Sequence, residues 1–176
     1  MKRAFTSMLA TLPGLLAFAL LSASVHAQDE GNTYVYTNNN DAANTVTGFK
    51  VQSTGALTKV RPLPFMTGGS GQNALGPFYA SHRIIVSRKF LYASNDGNST
   101  ISTFKIDPGT GFLSQPAPLN LSVSTGSSTL GGQGISLAAT RDAKYLYAAD
   151  AGSCTISTFS IAGNGALTLI DRKSVV

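Results

Sequence analysis

Three segments of this 176-residue chain repeat one another at a spacing of 55 to 56 residues. The first carries Tyr34-Val-Tyr-Thr-Asn38, then Thr45-Val-Thr-Gly-Phe-Lys-Val51, then Gly55-Ala-Leu57. The second carries Phe90-Leu-Tyr-Ala-Ser-Asn95, Thr100-Ile-Ser-Thr-Phe-Lys-Ile106 and Gly111-Phe-Leu113. The third carries Tyr145-Leu-Tyr-Ala-Ala-Asp150, Thr155-Ile-Ser-Thr-Phe-Ser-Ile161 and Gly165-Ala-Leu167. A period of this length, filled with short runs of β-branched and aromatic residues, restricts the chain to stacked all-β units, because one such unit cannot bury both of its faces alone.

The third copy shows how a unit is built. Gly134-Ile-Ser-Leu-Ala-Ala-Thr140 is a short apolar run. Arg141-Asp-Ala-Lys144 is a polar break in which the Asp142 side chain can support a turn. Tyr145 opens a second run, Asp150 to Ser153 a second turn, and Thr155 a third run whose Ile156, Thr158 and Ser160 alternate with Ser157, Phe159 and Ile161. Gly163-Asn-Gly165 breaks the chain again, and Ala166-Leu-Thr-Leu-Ile170 is the predicted fourth strand. Four strands separated by Gly, Asn and Asp turns form an antiparallel meander. No sustained 3.6-residue apolar period follows Gln28, so helices are expected to be few or absent.

Stacked radially, such meanders are the blades of a β-propeller. Tyr36, Tyr92 and Tyr147, with Phe49, Phe104 and Phe159, are then expected to pack between blades, and Gly55, Gly111 and Gly165 to need φ > 0 in the third turn. The first hairpin of the second copy, with Ser87-Arg-Lys89 in place of Thr140-Arg-Asp-Ala-Lys144, is shorter and should be tighter. The first copy lacks its first strand, since only residues 28–33 precede Tyr34. The connections over residues 61–80 and 114–133 are each about twenty residues long and are expected to be loops crossing one face toward a central channel.

Residues 1–27 stand outside this architecture. Lys2 and Arg3, an apolar run from Ala4 to Leu21, and Ser22-Ala-Ser-Val-His-Ala27 have the layout of a secretory signal peptide, which predicts a secreted or periplasmic protein with no stable membrane insertion after its removal. The formal charge is +5; Lys2 and Arg3 supply two of these charges, leaving +3 on the remainder. Those basic groups are scattered rather than gathered into a stripe, which argues against a nucleic-acid partner. No Gly-Lys-Ser/Thr phosphate cradle is present, and Asp96-Gly-Asn98 offers too few oxygens for a calcium loop. Cys154 is the single cysteine and replaces Asn44 and Ser99 of the other copies at a turn.

The copies resemble the lactonase-family propellers, the group that includes the seven-bladed 6-phosphogluconolactonases and the YVTN repeat proteins. The resemblance rests on Lys89-Phe-Leu-Tyr-Ala-Ser-Asn95, Thr100-Ile-Ser-Thr-Phe-Lys-Ile-Asp107 and Gly109-Thr-Gly-Phe-Leu113, with their counterparts in the third copy. It implies a β-propeller of four-stranded antiparallel blades, here about two and three-quarter blades (residues 33–64, 81–118 and 133–170) of seven, with the ring not closed. Seven copies at this period need roughly 350–400 residues. The sequence is therefore expected to be the N-terminal part of a longer protein whose further blades are its own partners, with residues 171–176 a non-native tail.

The resemblance also implies hydrolysis of a sugar-type lactone in the full-length protein, with no cofactor and no required metal, and an inactive isolated fragment. That chemistry needs a base to activate water and a cation or N–H donors to hold the developing oxyanion. His82 is the one histidine beyond the leader, and Arg83 follows it at the start of an inner strand. His82 as base and Arg83 as oxyanion or phosphate partner are the candidate site, although adjacent strand residues point to opposite faces. The alternative function is a non-catalytic extracellular propeller that binds a surface ligand through its long connections.

Overall fold

A computed structural model of the protein describes residues 31–61, 64–72, 82–115, 120–122 and 134–175. The expected leader (residues 1–27) and parts of both connections lie outside this set. Among the described residues there are thirteen strands in three sheets and no helix. Blade 1 contains β1 (Tyr34–Asn38), β2 (Thr45–Val51), β3 (Leu57–Lys59) and β4 (Phe65–Met66). Blade 2 contains β5 (Ile84–Ser87), β6 (Phe90–Asn95), β7 (Thr100–Ile106), β8 (Leu113–Ser114) and β9 (Asn120–Ser122). Blade 3 contains β10 (Ile135–Ala139), β11 (Tyr145–Asp150), β12 (Thr155–Ile161) and β13 (Leu167–Ser174).

All pairings are antiparallel, and the registers repeat: Tyr34 faces Lys50, Phe90 faces Lys105 and Tyr145 faces Ser160. The inner strands β5 and β10 open blades 2 and 3, while blade 1 begins at β1. The inner hairpin of blade 2 is the tighter one. Ser87 pairs with Phe90 across Arg88 and Lys89, with Arg88 at φ 54°. In blade 3 the corresponding turn is held by Asp142, whose Oδ1 accepts from the Thr140 hydroxyl at 2.6 Å and from the Lys144 N–H at 3.2 Å.

The outer strand runs further than the sequence suggests. In blades 1 and 2 it comes in two pieces, β3 and β4 on β2, then β8 and β9 on β7. In blade 3 a single strand, with a register shift at Thr158/Phe159, continues past the predicted end at Ile170 to Ser174. Thr155 pairs with Ser174 as Thr45 pairs with Met66 and Thr100 with Ser122. Residues 171–174 thus fill the ladder positions of β4 and β9. A ladder is made by backbone groups, so dissimilar side chains can occupy it.

The hydrophobic core lies between blades. Leu91, Ala93, Phe104 and Leu113 of blade 2 meet Val46, Val60 and Phe65 of blade 1, flanked by Tyr34 and Tyr36. Phe90, Tyr92 and Ile101 leave the other face of blade 2 and meet Ile135, Leu137, Leu146, Ala148 and Phe159 of blade 3. Strand alternation produces this division, since neighbours along β6 point to opposite faces.

Each junction is pinned at the end carrying the third turn. The Tyr36 hydroxyl donates to the Gly111 carbonyl at 2.9 Å, and the Tyr92 hydroxyl donates to the Gly165 carbonyl at 3.2 Å. Both glycines have φ > 0, at 70° and 85°. A Cβ on Gly111 would strike the Tyr34 ring and one on Gly165 the Phe90 ring. Only glycine meets both demands. Burial pushes the Tyr92 hydroxyl up to about 12 from 10.0; Tyr36 is also raised to about 12, by burial first and then by the neighbouring Tyr34 and Asp107. Of the expected interblade aromatics, Tyr92, Phe104 and Phe159 are buried, whereas Tyr147 is 39% exposed on the outer face of blade 3.

Candidate functional site

The turns between the second and third runs of each copy (β1–β2, β6–β7, β11–β12) lie at the end opposite the tyrosine–glycine pins. The inner strands start there too, since the Ser94 N–H donates to the Arg83 carbonyl at 2.9 Å. The two junctions close differently at this end.

Between blades 1 and 2 the closure is an amide network. Asn38 Nδ2 donates to the carbonyls of Ser94 (2.7 Å) and Arg83 (3.3 Å). Asn44, wholly buried, donates to the Ser94 carbonyl (2.9 Å) and Asn95 Oδ1 (2.8 Å) and accepts the Thr45 N–H (2.9 Å). Asn95 donates in turn to the Thr100 and Ser102 hydroxyls. Residues 67–72, expected to be loop, are strapped into this network. The Thr67 N–H and hydroxyl both donate to the Asn44 carbonyl, and the Thr67 carbonyl accepts from Ser102 Oγ and Gln115 Nε2. Gly69 passes so close to Asn95 that a Cβ would strike its side chain. The glycine run of this connection serves close approach.

Between blades 2 and 3 the closure is made through a carboxylate that an ion pair holds within blade 2. Arg83 Nε lies 2.9 Å from Asp96 Oδ2, with the two side chains 12% and 0% exposed. Asp96 Oδ1 accepts the Ser94 hydroxyl and, across the junction, the Ile135 N–H, both at 3.0 Å. The Arg83 approach is close but off the N–H direction, so it is an ion pair without a hydrogen bond. Among the described residues, the buried Arg83 Nε and Nη2 donate no hydrogen bond. A guanidinium oriented by a carboxylate and retaining donors can receive an anionic or developing-oxyanion oxygen.

The two sequence-predicted site residues diverge. Neither lies in a strand, because β5 begins at Ile84. His82 has φ 61°. Its side chain is exposed and lines a recess of about 340 Å³ on the outer face of blade 3, with Ser136, Leu137, Tyr147 and Ile156. Arg83 turns inward to Asp96. The structure therefore does not bring them to one point.

Sequence reasoning missed Asp96, and also Asp150. Register alignment supplies the signal for the first: where blade 2 has Arg83 and Asp96, blade 3 has Ser136 and Ala151, so the pair departs from the repeat together. Asp150 replaces Asn39 and Asn95, whose amides each donate to two hydroxyls on the next strand. A carboxylate cannot donate. Asp150 Oδ1 accepts the Gly152 N–H at 2.9 Å, while the buried Oδ2 has no hydrogen bond among the described residues. Cys154 is half-buried at φ 50°. Among the described residues no three His, Cys, Asp or Glu side chains gather into a metal-binding group.

The family model for the lactonase seven-bladed β-propeller matches residues 24–118, more than half of the chain. Among solved structures, the chain is similar to a proposed 6-phosphogluconolactonase from Bacteroides fragilis (22% identity, TM-score 0.61), over 81% of this chain and 42% of that one. It is similar to the periplasmic gluconolactonase of Pseudomonas aeruginosa (18% identity, TM-score 0.59), over 85% of this chain and 40% of that one. It is also similar to a functionally unknown protein from Desulfotomaculum acetoxidans (17% identity, TM-score 0.60), over 81% of this chain and 38% of that one. The chain thus spans about two fifths of the length of these structures, and at such identities the likeness is one of fold. A comparison with curated proteins finds no match. The repeated blades, their registers and the family match agree: the chain belongs to the lactonase family of seven-bladed β-propellers.

Proposed function

We propose that the protein hydrolyses a sugar-type lactone and acts outside the cytoplasm. The observation that carries this reading is the family match over a segment that contains Arg83, whose guanidinium is fixed by Asp96. The leader and the likeness to a periplasmic gluconolactonase support the location.

In this reading water attacks the lactone carbonyl carbon while His82 takes its proton, and the carbonyl oxygen becomes an oxyanion held by Arg83. The ring C–O bond then breaks, and the leaving oxygen takes a proton to give a hydroxy acid. Since His82 and Arg83 point apart, each meets the substrate from a different side, or the base is another group. Gluconolactone hydrolysis followed in a pH-stat tests both parts. Hydrolysis above the spontaneous rate, lost in Arg83→Gln, supports the reading. An unchanged rate in His82→Ala removes His82 as base, and no enzymatic hydrolysis at all overturns the reading.

A further inference from the structure

The end of the array that carries the tyrosine–glycine pins has a step in it. Blade 2 turns from β5 to β6 in two residues, Arg88 and Lys89, between the paired Ser87 and Phe90. Blade 3 takes four residues over the same turn, 141–144, with the Thr140 N–H donating to the Tyr145 carbonyl at 3.0 Å. Where the short hairpin lies beside the longer one, a recess of about 340 Å³ opens between the blades. Arg88, Lys89 and Phe90 form one wall, and Ala143, Ile161 and Ala162 the other. Both walls belong to described blades, so the recess is part of a junction already formed within this chain.

Its charge is one-sided. The two hairpins carry four cations, Arg88, Lys89, Arg141 and Lys144, and one carboxylate, Asp142. That carboxylate is turned into its own loop, where it accepts from the Thr140 hydroxyl and the Lys144 N–H and lies 3.4 Å from Lys144 Nζ. Arg88 and Lys89 have no carboxylate partner among the described residues. Both are held at the recess all the same. Arg88 Nη2 donates to the Asp142 carbonyl across the junction at 2.7 Å, and Lys89 Nζ stands 5.7 Å from the centre of the Phe90 ring. The other N–H groups of Arg88 make no hydrogen bond among the described residues.

Arg88 also sits against local preference. It has φ 54° in a two-residue hairpin loop, which favours glycine or asparagine at such a position. Glycine would serve the turn better, so the residue is accounted for by its guanidinium rather than by the fold.

We propose that this recess binds a small organic anion, its carboxylate or phosphate group between Arg88 and Lys89 and its carbon body against Ala143, Ile161 and Ala162. An arginine fork receives either acid group through paired N–H donors, and the lysine adds a point charge. The ligand is small because the volume lies at the lower end of the range of ligand pockets. The site is separate from Arg83 and Asp96, which stand at the opposite end of the same junction.

The test is amide NMR of the labelled protein, titrated with phenyl phosphate, with benzoate, and with benzyl alcohol as a neutral control of similar shape. The expected result is saturable shifts centred on residues 87–90 and 161–163 with at least one anion and none with the alcohol. Either anion supports the proposal, and the tighter of the two names the acid group. Arg88→Gly suits the backbone and should stay folded by circular dichroism, yet weaken binding by about tenfold. Lys89→Gln should weaken it as well, and added salt should do the same in the unaltered protein. No saturable shift at these residues with either anion overturns the proposal. So do equal shifts with benzyl alcohol, or binding that survives the loss of both cations.

Discussion

The two blade junctions share one end and differ at the other. At the tyrosine–glycine end they are near copies, with Tyr36 on Gly111 and Tyr92 on Gly165. At the opposite end, blades 1 and 2 are closed by neutral amides that satisfy one another through Asn38, Asn44, Asn95 and the strap at residues 67–72. Between blades 2 and 3 the Ile135 N–H donates to Asp96, whose carboxylate is paired with Arg83 inside blade 2. A repeat protein can keep one set of contacts constant to hold its blades and vary another for chemistry. Arg83 and Asp96 depart from the repeat together, at the end where the two junctions differ.

The contrast is sharpest when each closure is cut. Asp96→Ala leaves Arg83 buried without its carboxylate and should cost about 3–5 kcal/mol, whereas the double change Arg83→Met with Asp96→Leu should recover most of that loss. Asn44→Ala, which strands neutral groups only, should cost about 1–3 kcal/mol. Urea unfolding of the three variants checks the order, and a larger loss from Asn44→Ala breaks the comparison.

The shared end yields the next effect. Gly111→Ala must force a Cβ against the Tyr34 ring at φ 70° and should cost about 2–4 kcal/mol. Gly55→Ala, at φ 81° but facing open space, should cost only about 1 kcal/mol. Equal losses, read as thermal midpoints, would show that backbone strain rather than the ring sets the requirement.

The smallest effect is a pH dependence. Burial raises Tyr92 from 10.0 to about 12, so the folded state holds that proton more tightly than the unfolded state does. Its contribution is fully present below pH 10 and is lost as pH rises toward about 12. Tyr92→Phe should cost about 1 kcal/mol at neutral pH and flatten the decline above pH 10. An unchanged alkaline slope would assign that decline elsewhere.

The residues that spell the fold in sequence are those that recur: Tyr92 and Phe104 of the core, and Gly111 and Gly165 at φ > 0, all follow from the repeat. The strap did not, because Thr67 and Gly69 act through backbone groups and close approach, which leave no period. The end of β13 was missed for a similar reason, since ladder bonds do not depend on which side chains make them. At the candidate site, reading His82 and Arg83 as strand residues already set them on opposite faces, but it carried no sign of the φ of 61° at His82. Asp96 lies thirteen residues from Arg83 and is visible only when blades 2 and 3 are laid in register.

The strap over residues 67–72 bears on the order in which the chain assembles. It joins Asn44 behind it to Ser102 ahead of it, and among the described residues the interblade hydrogen bonds join neighbouring blades, the longest reaching 77 residues from Asn32 to Gly109. A nascent chain can therefore complete these two junctions soon after their partners are made. These three blades can be laid down in order from the first tyrosine, each sheet serving as the template on which the next one sets.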